Sequence, residues 1–186
     1  VLHKKYFQLK QLLGQEKMAP EILPYQHSLV EDICKLINSK DREIAMRARE
    51  TVGQGDERFN LNIMRMELER VKFTLKAYLR SRIVKVERFL FYLIERDQAH
   101  LLSEAEAAYA FNLFTSKQEY MNSEFFSKIS EKLNRMSEDS NMPAYMLTKP
   151  NPKQFVFIRF LISKKKHTVL ECIDIELKED NIYFLP

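Results

Sequence analysis

The sequence has 186 residues, 45% hydrophobic and 30% charged, with a formal net charge of +4. Its 13 Phe and 8 Tyr supply enough bulky apolar surface to offset chain entropy, which excludes a disordered tail, and the length fits one domain or one with a small second. Only 3 glycines occur, in no phosphate-loop, dinucleotide-loop or nucleophile-elbow pattern, which argues against much nucleotide and acyl-transfer chemistry. Cys34 and Cys172 stand far apart, so a reduced compartment is expected and no disulfide framework. His3, His27, His100 and His167 never pair at i, i+3 or i+4, and no metal or other cofactor is expected. No signal peptide is visible, and no run approaches the ~18 consecutive apolar residues of a membrane span.

In chain order, Leu2, Tyr6, Leu9 and Leu13 recur at helical spacing, and Gly14 reads as the stop. Pro20 and Pro24 then enforce a compact apolar connector. A second helix is predicted from Ser28 to about Glu50 on Leu29, Ile33, Leu36, Ile37 and Ile44, before a loop at Gly53-Gln54-Gly55. The third and longest segment runs from Met64 to Phe89. Met64, Leu68, Val71, Leu75, Tyr78, Val86 and Phe89 form a seam in which Arg82 takes one apolar place. Met66, Phe73, Ala77 and Val84 lie on another face, as expected of a helix buried between neighbours in its own domain or in a partner. These seam residues, with Leu79 and Arg82, are the candidates for a subunit interface.

Ser103 and Glu106 have capping-box spacing and open a fourth helix on Ala107, Phe111, Phe114, Met121, Phe125, Ile129 and Leu133, ended near Asn141-Met142-Pro143. After Lys149-Pro150-Asn151-Pro152 the periodicity becomes alternating. A strand is predicted in 154–162, a turn at Ser163–His167, a strand over 169–177 and a last one at Ile182–Leu185. The fold class expected is therefore mainly α, a helical bundle over 1–149 followed by a small β-rich module over 150–186, α+β overall. At about 37 residues the module is below the ~40 that usually stand alone. It is expected to be docked or incomplete, with Phe155, Phe157 and Ile158 as docking candidates.

The chemistry of enzymes is weakly signalled. Glu67 and Glu69 diverge around a helix, Asp174 and Glu176 share a strand face open to solvent, and nothing else converges on either pair. Charge says more: from Arg65 to Arg88 eight cations stand against three glutamates. Lys72, Lys76 and Arg80 form an i, i+4, i+8 row, which reads either as a solvated basic face or as a site for nucleic-acid phosphate or an acidic protein. Arg82 reads either as a snorkelling side chain or as a bidentate ion pair across a helix interface.

The segments Glu16–Leu23, Met66–Phe73 and Ala77–Phe89, with Leu102-Ser103, Tyr120-Met121, Asn141-Met142-Pro143 and Phe155-Val156-Phe157-Ile158-Arg159, resemble in order the SLD-five family of subunits of the eukaryotic GINS complex. The Ala77-Tyr78-Leu79 run with Arg82 is also similar to the related PSF-one subunit. The resemblance implies a helical A domain before a β-rich B domain, and a nuclear heterotetramer with PSF-one, PSF-two and PSF-three subunits. It implies that this assembly joins the Cdc-forty-five factor and the minichromosome-maintenance ring as a non-catalytic scaffold of the replicative helicase in DNA replication. Indirect or weak DNA contact, no membrane and no small-molecule substrate are expected with it. An N-terminal extension known in relatives is not seen before the first helix, and the B domain is expected to stop after its middle strands. The rival expectation is an autonomous basic-helix nucleic-acid-binding module, with a small-molecule enzyme as a more distant one.

Overall fold

The computed structural model describes residues 2–50, 55–124, 126–128, 148–151, 153–169 and 173–185. Helix α1 spans Leu2–Met18, α2 His27–Glu50 and α3 Gly55–Arg88, and these three pack on one another. At 34 residues α3 is about 50 Å long and serves as the spine of the bundle. It starts well before Met64. Helix α1 also outruns the reading that stopped it at Gly14, because that glycine is exposed and its backbone stays helical. The helix ends instead at Met18, since Ala19 precedes Pro20 and a residue before proline is pushed out of the helical region.

Two apolar clusters sit end to end along α3. In the first, Leu9 of α1 and Val30, Ile33, Ile37 and Ile44 of α2 close on Leu61, Leu68, Val71, Leu75 and Tyr78 of α3. Each fully buried aliphatic side chain of this kind contributes about 1.5–3 kcal/mol. In the second, Ile22 of the connector and Val86 and Phe89 at the end of α3 meet Leu90 and Leu93 of α4 (Leu90–Glu95), together with Leu102 and Ala110. Asp97 takes a left-handed conformation, φ 49°, which a short polar side chain tolerates. There the chain turns into a 3-10 turn at Gln98–Leu101. Helix α5 then runs over Glu104–Glu124, behind the expected capping box. The Ser103 N–H donates to Glu106 Oε2 at 3.0 Å and the Glu106 N–H to Ser103 Oγ at 3.2 Å. A 3-10 turn at Phe126–Lys128 follows; Phe125, Ile129, Leu133 and Asn141-Met142-Pro143 lie outside the described residues.

The C-terminal part is antiparallel. Strand β1, Val156–Arg159, pairs with β4, Ile182–Leu185, in the register Phe157 opposite Phe184 and Ile158 opposite Tyr183. Between them β2, Lys164–Val169, pairs with β3, Ile173–Leu177, with a register shift between Lys164 and His167. Of the strand expected over 169–177, Val169 belongs to β2 and Ile173–Leu177 form β3, while 170–172 lie outside the described residues; the lysines expected in a turn belong to β2. The chain is mainly α with small antiparallel strand pairs near its C-terminus, α+β overall.

Candidate functional site

Arg82 sits on α3 one turn after Tyr78 and one before Val86, where the first apolar cluster gives way to the second. Its side chain is fully buried, and a buried guanidinium is tolerated only when paired and hydrogen-bonded. All five of its N–H donors have acceptors. Nε donates to Glu106 Oε1 at 2.9 Å, and Nη2 to Glu106 Oε2 at 3.1 Å and to the Leu101 carbonyl at 2.9 Å. Nη1 donates to Glu16 Oε2 at 3.1 Å and to the Leu23 carbonyl at 2.6 Å. One turn on, the Lys85 ammonium donates to Glu16 Oε1 at 2.9 Å, to the Glu21 carbonyl at 2.8 Å and to the Glu16 carbonyl. Two cations therefore face two carboxylates.

The rings of Tyr25 and Tyr78 lie 5.2 and 5.8 Å from the guanidinium carbon and cover it. Burial works against the charge of Arg82, but the Glu106 carboxylate bonded to it, with Tyr78 and Glu16 beside it, raises its pKa above the ordinary value. This cluster joins the end of α1, the proline connector, α3, the 3-10 turn and the start of α5. Of the two readings of Arg82, the bidentate ion pair is the one found, yet its partners are in the same chain. Glu16, Lys85 and the carbonyls of Leu23 and Leu101 were not singled out in the sequence, and Glu106 only as a cap. The signal for Glu16 was faint, an acid just ahead of the proline connector.

The subunit-interface candidates require a correction. Leu68, Val71, Leu75, Tyr78, Arg82, Val86 and Phe89 are all buried within the chain, and Met64 and Leu79 pack partly buried against the first cluster. The physical reason is that α1, α2, α4 and α5 already cover most of this seam. The second set is the one left open: Met66 and Phe73 are each 73% exposed and Val84 is 55% exposed. The basic row is broken as well. Lys72 bridges to Asp41 at 2.9 Å and to Glu69 at 3.0 Å, while Lys76 and Arg80 are exposed and have no ion pair among the described residues.

In the strand region Phe155 and Phe157 stack with Phe184, ring centroids 5.2 and 4.8 Å apart, on an exposed face. Ile158 alternates to the other face, opposite Tyr183, so the three docking candidates do not share one surface. Among the described residues no group of three or more His, Cys, Asp or Glu is placed to hold a metal ion, and no helix is long and apolar enough to cross a membrane.

The fold and its junction define a helical bundle whose long central helix is pinned by a buried arginine, followed by small antiparallel strand pairs. The sequence model of the Sld5 family, described as the GINS complex protein helical bundle domain, matches residues 8–125, and the chain belongs to that family. It is 25% identical over 193 residues to the DNA replication complex GINS protein SLD5 of Debaryomyces hansenii, covering 96% of this chain and 78% of the relative. It is 27% identical to the protein of that name from Xenopus laevis, covering 90% and 72%. For the Chaetomium globosum protein the figures are 30% identity, 91% and 77%.

Proposed function

We propose that this chain is a structural, non-catalytic subunit of a heterotetrameric GINS complex with PSF-one, PSF-two and PSF-three subunits. In this reading it acts in the nucleus, in the initiation and elongation of DNA replication. The tetramer joins the Cdc-forty-five factor and the minichromosome-maintenance ring as scaffold and activator of the replicative helicase. The observation that carries the proposal is the family match over residues 8–125, which runs from within α1 to the end of α5. It is supported by the open apolar face of α3, and by the likeness, along most of their length, to proteins named as replication complex subunits. Contact with DNA is indirect, since the formal charge is only +4 and Lys72 is already neutralised by Asp41 and Glu69. The part before residue 150 is a helical A domain and the part after it a β-rich B domain.

Co-expression with the three other GINS subunits tests the assignment. Stoichiometric co-purification of all four chains is expected. A monodisperse monomer that ignores those subunits and binds DNA with a steep salt dependence would overturn it in favour of an autonomous nucleic-acid-binding module.

A further inference from the structure

The helices are not held to α3 alike. Helices α1 and α2 give the first apolar cluster Leu9, Val30, Ile33, Ile37 and Ile44, all of them buried. Among the described residues of α5, Ala110 alone is a buried apolar side chain, and Ala107, Leu113 and Phe114 are half-buried against the second cluster. From Ser116 to Glu124 every described side chain is exposed. Hydrophobic stabilisation follows the apolar area removed from water, and one alanine methyl removes a small fraction of what those five aliphatic side chains do.

Polar contacts therefore carry much of the attachment of α5, and they converge on one side chain. Glu106 holds Arg82 at Nε and Nη2, at 2.9 and 3.1 Å, as a charge-assisted bidentate pair. The Leu101 carbonyl, in the 3-10 turn ahead of α5, accepts from Nη2 at 2.9 Å and from the Tyr25 N–H at 3.1 Å. A second clasp, the Tyr109 hydroxyl donating to Glu87 at 2.6 Å, is open to solvent. The partners of Arg82 thus divide by element. Nε and Nη2 belong to the turn and α5, whereas Nη1 belongs to Glu16 and the Leu23 carbonyl on the other side. Asp97, with its left-handed φ of 49°, separates α4 from the turn.

We infer that the 3-10 turn and α5, residues 98–124, form a hinged arm that opens as one unit from the body made by α1, α2 and α3, with the Arg82–Glu106 pair as its latch and Asp97 as its hinge. In the open form Arg82 keeps the Glu16 carboxylate, and water reaches the N–H groups that Glu106 and Leu101 release, so no buried charge is orphaned. Opening uncovers part of the second apolar cluster and frees the Tyr25 N–H, which keeps the open form a minor one.

Native-state hydrogen exchange of the full chain, resolved residue by residue by NMR in sub-denaturing urea, tests the arm. After correction for intrinsic rates, the amides of Ala107–Phe114 are expected to share one opening, at least about 100-fold more frequent than that of Val71–Tyr78 in α3 and less dependent on urea. Ile33→Val, in the body, is expected to speed exchange of Val71–Tyr78 about fivefold and leave Ala107–Phe114 unchanged, because the body is intact in the open form. Glu106→Gln keeps an acceptor for the Ser103 N–H but removes the charge, and is expected to speed exchange of Ala107–Phe114 about tenfold. Tyr109→Phe, which touches only an exposed hydroxyl and leaves the fold intact, is expected to speed it about twofold to threefold. Exchange of both segments through one common opening, or an equal response of both to Ile33→Val, would overturn the arm. So would a gradient of rates rising along Ala107–Phe114, which marks fraying from the free end. Exchange of Ala107–Phe114 that neither Glu106→Gln nor Tyr109→Phe alters would overturn the latch.

Discussion

At the scale of single residues, Arg82 carries the largest consequence. Removing one member of a buried, fully bonded charge cluster leaves the others without compensation, at a cost of about 3–5 kcal/mol. Arg82→Met is expected to lower stability by that amount, read as a fall in the urea midpoint, because Glu106 loses its bidentate partner and Glu16 keeps only Lys85. Adding Glu16→Gln and Glu106→Gln is expected to recover part of the loss. A triple variant no more stable than Arg82→Met would show that uncompensated charge is not the cause.

Tyr78 gives a pH signature at the same junction. Burial raises its pKa above 10.0, with the nearby Arg82 charge and a backbone hydrogen bond with Gln26 working in the other direction. The folded value lies above the unfolded one, so the contribution is fully present below pH 10 and is lost as pH rises through the folded pKa. The urea midpoint is expected to fall above pH 10, less steeply in Tyr78→Phe; equal slopes in the two proteins would remove Tyr78 as the cause. The sequence disclosed Arg82 as an anomaly in an apolar seam. It could not disclose the partners, because Glu16 and Glu106 lie 66 and 24 residues away and reach the arginine only once the connector and α4 have turned the chain back.

At the scale of elements, local chemistry was legible wherever it was self-contained. The capping box at Ser103 and Glu106 depends on four consecutive residues and is found as expected. The limits of α1 depend on a competition, in which one glycine costs a helix only about 1 kcal/mol whereas a following proline blocks it outright. The helix therefore passes Gly14 and stops before Pro20. Since a side-chain carbon added at Gly14 would meet nothing within 4 Å, Gly14→Ala is expected to raise stability by about 0.5–1 kcal/mol. A higher urea midpoint at unchanged slope would register it, and an unchanged or lower midpoint would mean that α1 frays at that turn. That Lys164–Val169 pairs with Ile173–Leu177 was not legible, because the pairing of a strand depends on which strand lies alongside.

At the scale of the whole molecule, the order of helices before strands follows from periodicity, whereas the interior and exterior faces of α3 do not. Both seams repeat in fours and threes, and only the packing of α1, α2 and α5 decides that the one through Tyr78 is core and the one through Phe73 is surface. The same packing bears on the proposed division near residue 150. Every side chain in the two apolar clusters falls between Tyr6 and Phe114, and the described strands contribute their own buried pair, Leu177 and Leu185. The arginine cluster likewise draws only on residues from Glu16 to Glu106. If bundle stability resides in these contacts, deleting residues 150–186 removes none of them. The shortened chain is expected to keep one cooperative thermal transition, with a Tm within about 4 °C of the parent, the shift that 1 kcal/mol brings in a chain of this size. Loss of cooperative melting by circular dichroism would mean that the strands complete the bundle, and the two-part division would be withdrawn.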